Sequence, residues 1–132
     1  MSRFADTYYY PAVLNARDTA HQRAIGLSQQ LRGPVVTTEF ILLELGDGMA
    51  PPPARQAFVR FCNALRADPL VEIVQASNGL LARGLALYAG RPDKEWSLTD
   101  CISFVVMQDR DITEALTGDH HFEQAGFVAL LK

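Results

Sequence analysis

Cysteine is scarce in this chain of 132 residues: only Cys62 and Cys101 occur, each inside a helix-like apolar pattern. Neither has a second Cys or His at ligand spacing, which excludes a structural zinc pair. They read as small core residues of a reduced, cytosolic protein. Long apolar runs are missing too. The longest, Ile102 to Met107 with Ser103 inside it, falls far short of the ~20 residues a membrane span needs. The start, Met1-Ser2-Arg3-Phe4-Ala5-Asp6, holds no apolar signal region, so a cytoplasmic protein with no membrane partner is expected. Positive charge is also short. Twelve Lys and Arg stand against fifteen Asp and Glu, a net −3, and Lys94 and Lys132 are the only lysines. A protein that relies on non-specific phosphate attraction is normally basic, so any nucleic-acid role here needs a local patch, a metal ion, or both. What remains is ordinary globular usage, 48% hydrophobic and 20% charged. It suits one domain over residues 1–132 whose core needs no staples.

Short strand-like runs alternate with longer helical ones. Arg3-Phe4-Ala5-Asp6 is a brief apolar run ending in a carboxylate. Asp18 reads as the N-cap of a helix carrying Ala20, Ala24, Leu27 and Leu31, stopped by Gly33-Pro34. Val35-Val36-Thr37 is β-branched throughout and reads as the next strand. Thr37 or Thr38 caps a helix through Leu45 that ends at Gly46-Asp47-Gly48. After the stiff Pro51-Pro52-Pro53, a helix presents Ala57, Phe58, Phe61 and Leu65 on one face. Leu70 to Val74 is the clearest strand, and Ser77 caps a helix with Leu81, Leu85 and Tyr88. The polar loop 89–95 leads to a strongly apolar helix from Ser97 to about Arg110. Short closing strands are expected at Ile112 to Thr117 and Val128 to Leu131. Strands separated by helices imply a mostly parallel sheet with helices on both faces. In such sheets the functional crevice lies beyond the carboxyl ends of the strands.

Acids fall where that rule points. Asp6 closes the first strand, Asp119 follows the strand ending at Thr117, and Asp100 lies in the first turn of the Ser97 helix. Glu44 sits in the helix after the second strand, on the side that carries Ile41. At ~7 Å and an effective dielectric of about 20, each carboxylate pair repels by roughly 2 kcal/mol. Four gathered carboxylates would cost on the order of ten kcal/mol, comparable to a domain's whole stability. Such a cluster needs protons or a cation, and an all-oxygen donor set selects Mg²⁺ or Mn²⁺ over zinc. A divalent ion so held can position a water and stabilise the charge of an attacked phosphodiester.

Each acid has a plainer reading. Ser97-Leu98-Thr99-Asp100 fits a capping box, Asp6 can simply open a turn, and Thr117-Gly118-Asp119 is ordinary turn sequence. Glu44, between Leu43 and Leu45, needs a partner if it is buried. His120-His121 reads as a solvated pair more readily than as a ligand or proton shuttle. Tyr8-Tyr9-Tyr10 reads as packing of a short helix before base stacking, and Trp96 as an anchor for its loop. Of the scattered basic residues, Arg17, Arg23 and Lys94 are the best candidates for phosphate contact.

Four segments, in this order, resemble PIN-domain ribonucleases. They are Phe4-Ala5-Asp6-Thr7, Thr37 to Leu45, Trp96 to Cys101, and Leu116 to Phe122 with Gly126-Phe127. The compact size is similar to the VapC-type toxins of type II toxin–antitoxin pairs, and the likeness runs essentially end to end. It implies a three-layer α/β/α sandwich on a parallel five-stranded sheet and a Mg²⁺- or Mn²⁺-dependent endoribonuclease leaving 5′-phosphate and 3′-hydroxyl ends. It also implies a homodimer, an RNA substrate and a cognate antitoxin. Carried over by motif, Asp6, Glu44, Asp100 and Asp119 form the acidic tetrad. Asp6 and Asp100 are the direct metal ligands, and Thr7, Ser97 and Thr117 are supporting hydroxyls. Two features depart from the pattern: Tyr8 stands where a small hydroxyl residue is usual, and the second helix stops early before Pro51-Pro52-Pro53. Two other functions compete. A receiver-type signalling domain also gathers acids at strand ends but needs a lysine at the end of a late strand, and none occurs before Lys132. A non-catalytic interaction module on the same fold would bind a partner without using the acids.

Overall fold

The computed structural model describes residues 1–132. Five short strands form one sheet in the order β3-β2-β1-β4-β5, and every neighbouring pair is parallel. Strand β1 (Arg3–Ala5) occupies the centre, followed by helices α1 (Tyr9–Leu14) and α2 (His21–Gln30). Next come β2 (Val35–Thr38), α3 (Glu39–Gly48), α4 (Pro52–Ala67) and the edge strand β3 (Val71–Val74). The chain returns across the sheet through α5 (Asn78–Gly90) and α6 (Leu98–Asp109) to β4 (Glu114–Leu116), then finishes with α7 (His120–Gln124) and β5 (Val128–Ala129).

Right-handed crossovers require opposite faces for connections that run in opposite directions along a sheet. Aromatic contacts agree with that division. Tyr10 of α1 meets Phe61 of α4 edge-on at 5.0 Å, whereas Phe104 of α6 meets Phe122 of α7 edge-on at 4.9 Å. The expected α/β sandwich with a five-stranded sheet is thus present, and the sheet is parallel throughout. Strand order reverses between β1 and β4, which makes their carboxyl ends the topological switch point.

Local chemistry sets the element ends. Thr38 caps α3 by accepting from the Ile41 N–H, and Ser77 caps α5 by accepting from the Leu80 N–H. Ser97 and Asp100 make a reciprocal capping box at the start of α6. Gly126, at φ +95°, ends α7 in the left-handed region that an L side chain resists.

Several expectations need correction. Asp18 does not cap α2: its carboxylate accepts from the Ala20 N–H, holding a turn, and the helix begins three residues later. Helix α3 does end within the expected Gly46-Asp47-Gly48, at Gly48 with Met49 as its C-cap, but only a three-residue break separates it from α4. Proline at the first helical positions restarts the helix rather than preventing it. The run Leu70 to Val74 forms the sheet's edge, with no fully buried residue. Cys101 is buried as expected, but Cys62 is only half-buried, because α4 covers the molecule with one face and buries no residue fully.

Candidate active site

Register brings the first two acids together. Ala5 of β1 pairs with Leu116 of β4, so the next residues, Asp6 and Thr117, leave the sheet side by side. The Thr117 hydroxyl donates to Asp6 Oδ2 at 2.8 Å and accepts from the Asp119 N–H at 3.1 Å. One buried threonine thereby sets the positions of two aspartates 113 residues apart in the chain. Asp119 is also the N-cap of α7, taking the His121 N–H at 2.9 Å.

Asp100 arrives from a helix, on the first turn of α6. Its Oδ2 accepts from the Ser97 N–H at 3.1 Å while Ser97 Oγ accepts from the Asp100 N–H at 2.9 Å. The capping-box reading and the acid-cluster reading of Asp100 are therefore both right about its position, since the cap fixes the carboxylate where it faces the others. Asp6 is 5% exposed and Asp100 8%. Burial, with the charge of Asp100 adding to it against the opposing Thr117 hydrogen bond, pushes the Asp6 carboxyl up to about 7. Burial foremost, and then the charge of Asp119, raise Asp100 as well. No lysine or arginine pairs with Asp6, Asp100 or Asp119. Buried, mutually repelling carboxyls that lack an arginine or lysine partner, with hard oxygen donors, fit a divalent cation.

Glu44 departs from expectation. Ile41, Leu42 and Leu45 take the inward side of α3, which leaves Glu44 exposed rather than buried beside Ile41. It joins the site through one contact, a hydrogen bond from the Thr7 hydroxyl at 2.5 Å, and Thr7 directly follows Asp6. Tyr8 packs its ring against Gly118, where a Cβ would lie 2.6 Å from the ring carbon, so this tyrosine forms a wall beside Asp119. Tyr9 and Tyr10 are buried in α1, as packing requires. Trp96 is buried and its indole N–H donates to Gln124 Oε1 at 2.9 Å, which anchors the loop before α6 to α7.

His121 is the residue the sequence reading set aside. It is not solvated: its Nδ1 lies 3.2 Å from Asp100 Oδ2 and 3.4 Å from Asp119 Oδ1. The available signal was the Asp119-His120-His121 spacing at a helix start, which turns the cap residue and the residue two beyond it toward one another. Donor atoms of Asp119, His120 and His121 all lie within 4.8 Å, a grouping able to hold a metal ion. The basic candidates are dispersed. Arg17 is exposed on the α1–α2 connection, and Arg23 donates to the Lys132 carbonyl at 2.6 Å. Lys94 lines a cavity of about 410 Å³ with Tyr88, Arg91, Trp96 and Cys101, the last adjacent in sequence to Asp100.

The fold and this cluster define a class: α/β proteins that carry a carboxylate centre at the switch point of a five-stranded parallel sheet. No protein-family model matches the chain. Over 125 residues, 95% of each chain, it is 28% identical to the 23S rRNA-specific endonuclease VapC20 of Mycobacterium tuberculosis. The crystal structure of VapC20, a Sarcin-Ricin loop cleaving toxin, matches with a TM-score of 0.87 at 26% identity, covering 97% of both chains. FitAcB from Neisseria gonorrhoeae matches with a TM-score of 0.69 at 19% identity, over 98% of this chain and 95% of that one. VapBC2 from Rickettsia felis, bound to a DNA fragment from its promoter, matches with 0.69 at 11% identity, over 98% and 97%. The last two likenesses speak to the fold alone. Sequence and fold together are thus similar, over nearly the whole chain, to a VapC-type PIN-domain toxin.

Proposed function

We propose that this protein is a metal-dependent endoribonuclease, the toxin of a toxin–antitoxin pair, acting as a single domain over residues 1–132. The observation that carries the reading is the meeting of Asp6, Asp100 and Asp119 at the switch point, without a lysine or arginine to neutralise them, in a chain alike from end to end to an rRNA-specific endonuclease. Asp6 and Asp100 hold Mg²⁺ or Mn²⁺, with Asp119 and Glu44 completing the donor set directly or through water. When bound, the ion supplies a lowered water pKa and charge stabilisation at the attacked phosphodiester. The protein's own part is positional. Thr117 orients Asp6 and Asp119 together, Ser97 fixes Asp100, and Thr7 ties Glu44 to the residue beside Asp6. Lys94, with Arg17 and Arg23 further off, gives the acidic protein its local contacts to the RNA backbone.

RNA is the substrate and a cognate antitoxin protein the partner, with a homodimer as the assembly and the cytoplasm as its place. No helix is long and apolar enough to cross a membrane. The decisive experiment incubates the purified protein with ribosomal RNA in Mg²⁺ or Mn²⁺ and maps the ends. Cleavage that leaves 5′-phosphates, stops in EDTA and is missing from Asp100→Asn supports the reading; metal-independent cleavage, or an active Asp100→Asn, refutes it.

A further inference from the structure

The acid cluster contains a nitrogen donor that an all-oxygen magnesium site would not need. His121 Nδ1 is turned between two carboxylates contributed by different elements, Asp100 on α6 and Asp119 before α7. Its ring is mostly buried, and its backbone N–H donates to Asp119, which holds the start of α7 against the same carboxylate. The two nitrogen–oxygen separations, 3.2 and 3.4 Å, are close to the ~3 Å edge between neighbouring donors of an octahedral ion bound at about 2.1 Å. His120 differs. It is largely exposed, and of the acids it approaches Asp119 alone, at 3.6 Å. His21, the third histidine, directs Nδ1 to the Ala12 carbonyl instead.

We propose that His121 is a direct nitrogen ligand of the divalent ion, sharing it with Asp100 and Asp119 and biasing the site toward Mn²⁺ over Mg²⁺. The inference rests on the carboxylate-centre reading above and adds a donor to it. Imidazole nitrogen favours transition ions, whereas Mg²⁺ demands hard oxygen donors and keeps its waters. Without an ion, Nδ1–H can bridge the same two carboxylates as a hydrogen-bond donor; with one, the other tautomer presents its lone pair to the metal.

The test uses full-length protein stripped of metal and titrated with Mn²⁺. Pulsed electron paramagnetic resonance of the Mn²⁺ complex should show a bound-nitrogen coupling that changes when the histidines are ¹⁵N-labelled. The coupling should survive His120→Gln and vanish in His121→Gln. By calorimetry, His121→Gln should lose about tenfold or more in Mn²⁺ affinity, with a smaller loss for Mg²⁺. Bound Mn²⁺ with no histidine coupling, or a coupling lost in His120→Gln instead, overturns the assignment and leaves the carboxylate centre standing. Failure of the wild-type protein to bind Mn²⁺ at all defeats both. The labelled wild-type spectrum decides the matter even if the His121→Gln chain does not fold.

Discussion

Helices α4 and α6 are close in length and opposite in burial. Eight of the twelve residues of α6 are buried, from Asp100 to Met107 without a gap. Not one of the sixteen residues of α4 is. Packed between the sheet, α5 and α7, α6 is held on every side, and the carboxylate of Asp100 stands at its amino end. The whole core therefore fixes one functional group. Helix α4 rests on the edge of the sheet by a single half-buried stripe, and Val59 on it and Leu43 on α3 stand 57% and 63% exposed. The lesson is one of rigidity: the chemistry proposed above is mounted on the best-packed helix, and the surface left for other contacts is on the least-packed one.

The sharpest break in this comparison is at the amino end of α6. Asp100→Asn keeps the size of the side chain and an acceptor for the Ser97 N–H, so circular dichroism and melting should change little. Cleavage should fall by more than the roughly 10- to 100-fold typical of losing an outer partner of a metal ligand. Next comes the packing that supports it. Phe104 is fully buried between Trp96, Phe122 and Phe127, and Phe104→Ala should cost about 3–5 kcal/mol in denaturant melts. Phe58→Ala on α4 should cost clearly less, since that ring is only partly buried. Equal losses at the two positions would show that α4 is as integral to the core as α6.

Much of the fold was legible because it is periodic. The apolar stripe at Ala57, Phe58, Phe61 and Leu65 is the half-buried face of α4, and β-branched Val35-Val36-Thr37 is a strand. The meeting of Asp6 and Asp119 could be expected because a parallel sheet gathers its strand ends at one edge and strand ends can be read locally, and the start of the Ser97 helix could be read from its capping box. Two things could not. Which side of α3 carries Glu44 depends on the rotation of a helix that is apolar almost all round, Leu43 included, so no stripe marked the inward face. His121 depends on where α6 delivers Asp100, a contact across 21 residues that no local pattern encodes.

A third break concerns charge. The Asp6 carboxyl is raised from 3.8 to about 7 in the folded protein, chiefly by burial. A raised acid holds its proton more firmly in the folded state, so its contribution to stability is complete below pH ~4 and is lost as pH rises through about 7. Metal-free protein should therefore be less stable at pH 8 than at pH 5, by about 2–3 kcal/mol from this group. Saturating Mn²⁺ should remove most of that loss, because the ion binds the ionised form only in the folded protein. Asp6→Asn should remove this group's share of the metal-free slope, leaving the part that the raised Asp100 contributes, and should strongly weaken the metal effect. Urea melts at several pH values, with and without the ion, measure each term; a metal-free stability that rises toward pH 8 would contradict the buried-acid picture.

The finest comparison sets two helical glycines against each other. A Cβ on Gly84 of α5 would meet Ile102 of α6 at 2.3 Å, so the two helices approach as closely as they do because that side chain is missing. Gly84→Ala must push α5 away or force Ile102 off its rotamer, and should cost about 1–3 kcal/mol. Gly26 of α2 has open space where its Cβ would be and lies mid-helix with no unusual backbone angle. Alanine there removes unfolded-state freedom at no steric cost, so Gly26→Ala should stabilise by about 0.5–1 kcal/mol. The signs are opposite although the substitution is the same, and thermal melts of the two variants resolve both. Because Gly84 lies against Ile102, two residues after Asp100, its alanine variant should also weaken Mn²⁺ binding. Gly26→Ala should leave that affinity unchanged, which would locate the sensitivity in the α5–α6 contact rather than in helix content.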